Sequence, residues 1–259
     1  DYFHKNEAEK GKEILRLDRL TKEGLFEDIS FDVREGEVVG LYGLVGAGRS
    51  EVVETVFGAR QPDAGEIYLN GKKIKIKNTR DAVTCGIGLV PEDRKLQGLV
   101  LKMSCKENIT LAKLPNLTKN GFVDNRQEMQ LYQEYKDKLS IATPSHEQQV
   151  VNLSGGNQQK IVIGKWMSLA PRLFILDEPT RGIDVGSKAE IHKLIAKLAE
   201  SNLAVLVISS EMPEIMGICD RIITMREGKV SGEFSGDNIT EENLIKAIAH
   251  TEGVEKVGA

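Results

Sequence analysis

Short apolar runs bounded by turn residues fill the first third of the chain, and helical spacing takes over towards its end. Glu13 to Leu17 and Phe26 to Val33 read as two short strands separated by turn-like polar residues, so a small β region opens the fold. After the turn at Glu35-Gly36, the apolar run Val38 to Tyr42 leads through a glycine-rich segment into Glu51 to Phe57, which has a helical composition. Residues 64 to 76 hold two strand-like pieces around Asn70-Gly71, a strong short-range hairpin signal that extends the β region. From about Lys106 to Leu139 polar and charged residues increase, and Gln127 to Leu139 predicts a helix inside a helical subdomain. The last third alternates: helix over Gln158 to Leu169, strand over Arg172 to Leu176, helix over Ser187 to Glu200, strand over Leu203 to Ser209. Ile191, Leu194, Ile195 and Leu198 share one helical face that would cover a sheet, and the alternating order predicts an α/β fold with a mostly parallel sheet.

Composition narrows the class. The chain has 259 residues, 40% hydrophobic and 29% charged, which fits one large globular domain with a satellite subdomain. Its net charge of -4 offers no broad positive field of the kind that holds nucleic acid by its phosphates. Three cysteines, Cys85, Cys105 and Cys219, are far apart and suggest buried free thiols rather than a disulfide framework or a zinc site. No apolar run approaches the ~18 residues of a membrane span, so any membrane role is peripheral. The polar start lacks the apolar core of a signal peptide, and without an initiating Met the expectation is a linker over 1–12 within a longer natural chain. The expected domain covers 13–249, with its helical part at about 100–165 and a tail over 250–259.

Three segments carry the candidate chemistry. Gly43-Leu44-Val45-Gly46-Ala47-Gly48-Arg49-Ser50 follows an apolar strand and opens a helix, as a phosphate-binding loop does, but Arg49 stands where such loops have lysine. Its glycines let backbone N–H groups close around phosphate oxygens, the helix that continues through Glu51 presents its positive end, and Ser50 can ligate Mg²⁺. Leu173 to Leu176 is an apolar strand that ends in Asp177 and Glu178; the first acid suits Mg²⁺ and the second suits polarising a water. Leu153-Ser154-Gly155-Gly156-Asn157-Gln158-Gln159-Lys160 precedes that strand, with Ser154 capping a helix and two glycines allowing a close backbone approach.

In this order the three segments resemble the ABC ATPase family, whose hallmark is an L-S-G-G signature just ahead of the acidic strand. Pro91-Glu92-Asp93-Arg94-Lys95, Asp177-Glu178-Pro179-Thr180-Arg181-Gly182-Ile183-Asp184-Val185-Gly186 and Ser209-Ser210-Glu211-Met212-Pro213-Glu214 look like the C-terminal halves of ATPase subunits for ribose, galactose and xylose uptake. The resemblance runs from about Glu13 to residue 249. It implies a P-loop ABC ATPase fold: a RecA-like core, a small antiparallel β subdomain and a helical signature subdomain. It also implies ATP and Mg²⁺ as cofactors, with ATP sandwiched between the P-loop face of one domain and the signature of another.

The nucleotide residues carried over are Gly43, Gly46, Ala47, Gly48, Arg49, Ser50 and Glu51 on one half-site, Ser154, Gly155, Gly156 and Gln159 on the other, and Asp184. Ser50, Asp177 and Glu92 are the implied Mg²⁺ ligands, and Glu178, Glu92 and Ser210 the implied catalytic set. The implied partners are an N-terminal ABC domain of the same natural chain, transmembrane permease subunits at the cytoplasmic face of the membrane and, indirectly, a periplasmic sugar-binding protein.

Three departures set the expectations for activity. Arg49 replaces the phosphate lysine, Glu92 a glutamine and Ser210 the switch histidine, whereas the signature differs only at Asn157. A planar guanidinium cannot reproduce a compact ammonium between phosphates, and Glu92 lacks an amide donor. The pattern therefore implies a degenerate, weakly hydrolysing P-loop half-site and an intact signature half-site. A soluble ABC ATPase outside transport, or a regulatory module that holds nucleotide without hydrolysis, are the competing readings. An adenine-stacking aromatic, frequent in the family after the first strand, is absent from Leu20-Thr21-Lys22-Glu23-Gly24, and Phe26 reads as core.

Overall fold

The computed structural model describes residues 10–249. Along the chain run β1 (Glu13–Lys22), β2 (Phe26–Arg34), β3 (Val38–Gly43), α1 (Arg49–Val56), β4 (Ala64–Leu69), β5 (Lys72–Ile74), α2 (Thr79–Thr84) and β6 (Ile87–Val90). A mainly helical stretch follows: α3 (Cys105–Thr110), α4 (Leu114–Leu117), a small hairpin of β7 (Thr118–Lys119) and β8 (Phe122–Val123), α5 (Asn125–Lys138) and α6 (Gly155–Met167). The chain then alternates through β9 (Leu173–Asp177), α7 (Val185–Glu200), β10 (Ala204–Ser209), α8 (Met212–Ile218), β11 (Arg221–Arg226), β12 (Lys229–Ser235) and α9 (Glu241–Ile248).

The main sheet has the order β12-β11-β3-β10-β9-β6, and all its strands but β12 run parallel. Strands β3, β6, β9 and β10 are buried along their whole length because both faces of the sheet are covered there. On one side Tyr42, Phe174, Leu176, Val205 and Val207 pack with the helical subdomain, α7, α8 and α9. On the other, Val39, Leu41, Ile175, Leu206 and Ile208 pack with α1 and a four-stranded antiparallel sheet of order β2-β1-β4-β5. Ile191, Ile195 and Leu198 of α7 are buried and Leu194 is partly so, which is the sheet-covering face read from the sequence.

The antiparallel sheet, the Asn70-Gly71 hairpin between β4 and β5 and the α5 helix all form where expected, with β1 longer than Glu13 to Leu17. Residues 10–12 already join the fold, since Gly11 N–H donates to the Glu35 carbonyl. The rest of the expected linker, 1–9, and the tail over 250–259 lie outside the described residues. All three cysteines are free; Cys105 and Cys219 are buried, but Cys85 is half-buried rather than buried. Among the described residues no helix is long and apolar enough to cross a membrane.

What the topology does for function is collect strand ends. Parallel strands put their carboxyl ends on one edge, and a crevice at that edge is where such sheets bind ligands. The edge here carries the glycine loop after β3, Asp177 and Glu178 at the end of β9, Ser209 and Ser210 at the end of β10, and Glu92 just past β6.

Candidate functional site

The loop between β3 and α1 builds one wall of the site. Gly48 caps α1 with φ 92°, a left-handed conformation that a side chain strains, and a Cβ there would also stand 3.0 Å from the Leu25 carbonyl. The first N–H groups of α1 have no partner within the helix and face the loop, giving an anion seat. Leu44 and Val45 protrude into solvent, whereas Ala47 and Arg49 are buried.

An open cleft of about 370 Å³ is lined by Val45 to Glu51, Glu92, Glu178, Arg181, Ser210 and Glu211. Nine expected residues therefore meet in one place: Gly46, Ala47, Gly48, Arg49, Ser50, Glu51, Glu92, Glu178 and Ser210. Gly43 lies buried beneath the loop. Asp177 and Ser50 face an adjoining cleft of about 270 Å³ that also reaches Glu92.

Charge placement within the cleft is specific. Arg49 Nη1 donates to the Ser209 carbonyl at 2.7 Å and lies 3.7 Å from Glu178 Oε1, so its cation is turned towards the strand ends. Ser210 Oγ donates to Glu178 Oε2 at 3.2 Å. Glu178 takes φ 46°, a strained conformation for a side-chain-bearing residue and a frequent mark of functional sites. Glu92 forms an ion pair with Arg181, so the negative charge that Glu92 introduces is met by a cation from the loop after β9.

Asp177 is 4% exposed, and its Oδ1 is buried with no hydrogen-bond partner. Burial pushes its carboxyl up to about 6, against the pull of the Ser50 hydroxyl, and the nearby Glu178 charge adds to the rise. An orphaned carboxylate oxygen beside a hydroxyl, at the rim of an anion seat, fits a hard divalent cation such as Mg²⁺. Among the described residues no cluster of three His, Cys, Asp or Glu side chains could hold a metal by itself, so phosphate or water oxygens would complete the shell.

Five expected nucleotide residues lie elsewhere. Ser154 is exposed at the start of α6, and its side chain accepts from Asn157 N–H. Gly156 is demanded by a contact inside the chain, since a Cβ there would stand 2.5 Å from Ser187 Oγ; a Cβ on Gly155 would stand 2.9 Å from the mobile end of Arg94, at Nη2. Gln159 is 2% exposed, packed within the covered face of α6. Asp184 caps α7 by accepting from Ser187 N–H and does not line the P-loop cleft.

Sequence reasoning missed two residues. Arg181 was quoted within a motif without a role, although an acid at position 92 facing Asp177 and Glu178 demands a nearby cation. Arg94 donates to the carbonyls of Arg181 at 2.6 Å and Gly182 at 3.0 Å, joining the segment after β6 to the loop after β9 and the start of α6. A third cleft, of about 640 Å³, adjoins the loop at Gly46, and Phe26, 3% exposed, is the only ring in its lining. Phe26 is thus a core residue, as the sequence indicated, and among the described residues no exposed ring lines that cleft.

A glycine loop, a buried acid and a strained second acid on the carboxyl edge of a parallel sheet define a P-loop nucleotide-binding fold. The family model for ABC transporters matches residues 26–181, and the chain belongs to that family. It is 49% identical to the putative ribose/galactose/methyl galactoside import ATP-binding protein of Geobacillus kaustophilus over 94% of this chain and 48% of that protein. With the ribose import ATP-binding protein RbsA of the same organism it shares 47% identity over 95% of this chain and 50% of the relative. The chain spans about half the length of the curated relatives it matches. Among solved structures, the ADP conformation of MJ1267, an ATP-binding cassette of an ABC transporter, superposes with a TM-score of 0.76 at 19% identity, covering 91% of this chain and 98% of that one.

Proposed function

We propose that this chain is the C-terminal ATP-binding domain, residues 13–249, of a tandem ABC subunit that drives monosaccharide import, with ribose and galactose the first candidates. The observation that carries this reading is the 49% identity, over 94% of the chain, to a relative named for ribose, galactose and methyl galactoside import. On this reading the domain works at the cytoplasmic face of the membrane with permease subunits, an N-terminal ABC domain and, indirectly, a periplasmic sugar-binding protein. The test reconstitutes the full-length chain with its permease in proteoliposomes, adds the binding protein, and measures uptake of labelled ribose and galactose. ATP-dependent uptake of either supports the reading; uptake of neither sinks it.

ATP phosphates would bind along Gly43 to Ser50, and Ser50 and Asp177 are the residues that would hold Mg²⁺. When bound, Mg²⁺ supplies positive charge to the phosphate oxygens. Glu178 is the residue suited to orient a water, with Glu92 and Ser210 at its side. Yet Arg49 is bonded to Ser209 and faces Glu178, so the cation of the loop and the carboxylate of the base neutralise each other. That arrangement supports a half-site that holds nucleotide but hydrolyses it weakly, while Ser154 to Gly156 complete a competent site on the N-terminal domain.

Arg49→Lys tests the neutralisation directly. A lysine can turn from Ser209 towards phosphate, and the expected result is Mg-ATP binding to the isolated chain tighter by about tenfold, equivalent to ~1.4 kcal/mol. Titration calorimetry reads it. Weaker binding in the variant would mean that Arg49 itself clamps phosphate.

A further inference from the structure

Behind the cleft lies a buried carboxylate that has no role assigned so far. Glu214 on α8 is 6% exposed, and three donors converge on it. Thr180 Oγ1 donates to Oε1 at 2.8 Å, His192 Nε2 stands 2.6 Å from the same oxygen, and Ser209 Oγ donates to Oε2 at 2.5 Å. These partners come from three elements: the loop after β9, helix α7 and the end of β10. Burial pushes the carboxyl up, but the His192, Ser209 and Thr180 contacts outweigh it and hold Glu214 below the usual carboxylate range.

The contacts close a circuit. Glu178 leads through the backbone to Thr180, Thr180 bonds to Glu214, Glu214 to Ser209, Ser209 leads to Ser210, and Ser210 Oγ returns to Glu178. Ser209 also offers its carbonyl to Arg49, and its hydroxyl accepts from Glu211 N–H at 3.0 Å. A residue held at φ 46°, as Glu178 is, persists only where its surroundings over-determine it. A buried, fully satisfied polar network supplies that determination, because each partner lost leaves another polar group unpaired.

We propose that Glu214 is the positioning residue of the nucleotide cleft: it fixes the ends of β9 and β10 relative to each other and so sets Glu178 and Ser210 against the terminal phosphate of a nucleoside triphosphate. This rests on reading the cleft as a nucleotide site. The role is selective, since a diphosphate, one group shorter, leaves the wall of Glu178 and Ser210 untouched. Glutamine at 214 keeps the volume, accepts from Thr180 through its oxygen and donates to Ser209, whose hydroxyl can turn.

The experiment measures Mg-ATP and Mg-ADP affinities by calorimetry for the wild-type chain and for Glu214→Ala, Glu214→Gln and Thr180→Val. The expected result for Glu214→Ala is Mg-ATP affinity about tenfold lower with Mg-ADP affinity within about twofold of wild type, and recovery of the ATP loss in Glu214→Gln. Thr180→Val, which removes one donor at constant shape, is expected to lose about threefold for Mg-ATP alone, and it decides the matter if Glu214→Ala does not fold. Equal losses for both nucleotides, or no loss in any variant, overturn the positioning role. A wild-type chain that binds neither nucleotide overturns the nucleotide reading itself, and this inference with it.

Discussion

If the chain is half of a tandem subunit, as proposed, replacing Ser154 by arginine in the full-length protein is expected to lower ATP turnover about 100-fold or more, while the isolated chain keeps its Mg-ATP affinity within about twofold. Ser154 is exposed at the first turn of α6, and it lies outside the P-loop cleft of its own domain. Within the chain its side chain only caps α6, accepting from Asn157 N–H and Nδ2. Loss of such a cap costs about 1 kcal/mol, too little to unfold a domain of this size. A large loss of turnover would therefore report contact with a nucleotide held by another domain. Unchanged turnover in the tandem protein would mean that the signature of this chain completes no catalytic site, and the asymmetric reading would fall.

The parts of this picture that were legible in the sequence are those fixed by local physics. Continuous apolar runs announced β3, β9 and β10, the Asn70-Gly71 pair announced its hairpin, and the face of Ile191, Ile195 and Leu198 announced α7. The glycine loop and the strand-end acids could be placed because parallel strands bring their carboxyl ends together whatever the loop lengths.

Pairings across long sequence separations were not legible. Nothing in the local pattern says that Arg49 will bond to Ser209, that Glu92 will find Arg181, or that Glu214 will collect Thr180, His192 and Ser209. The signature glycines illustrate the limit from the other side. They read as room for a ligand, but Ser187 already occupies the space a Cβ on Gly156 would take, so internal packing alone accounts for that glycine. The burial of Gln159 was not legible for a related reason: a polar residue at helical spacing gives no sign of whether its face is covered.

Asp177→Asn is expected to move stability and binding in opposite directions. In the folded protein without nucleotide the carboxyl titrates at about 6, against an ordinary value of 3.8. Between those values the folded state binds more protons than the unfolded chain, so this group favours folding fully only below 3.8, and its contribution declines as pH rises through about 6. At pH 7.5 the buried, ionised carboxylate is thus a net penalty, on the order of 1–3 kcal/mol for a shift of this size. Asparagine preserves the shape and removes the charge, and at about 2–4 °C per kcal/mol the variant should melt several degrees above wild type in the absence of ligand. Binding should change the other way: without the carboxylate next to Ser50, Mg-ATP affinity is expected to drop at least about tenfold. In the wild type the same competition should weaken Mg-ATP binding as pH falls below about 6, because protons then occupy the group the cation needs. Differential scanning calorimetry and nucleotide titrations from pH 5 to 8, run on both proteins at roughly matched ionic strength near 0.15 M, separate the two effects. A variant that melts lower than wild type would overturn the burial account of Asp177, and one that binds Mg-ATP as tightly as wild type would remove Asp177 from the metal site.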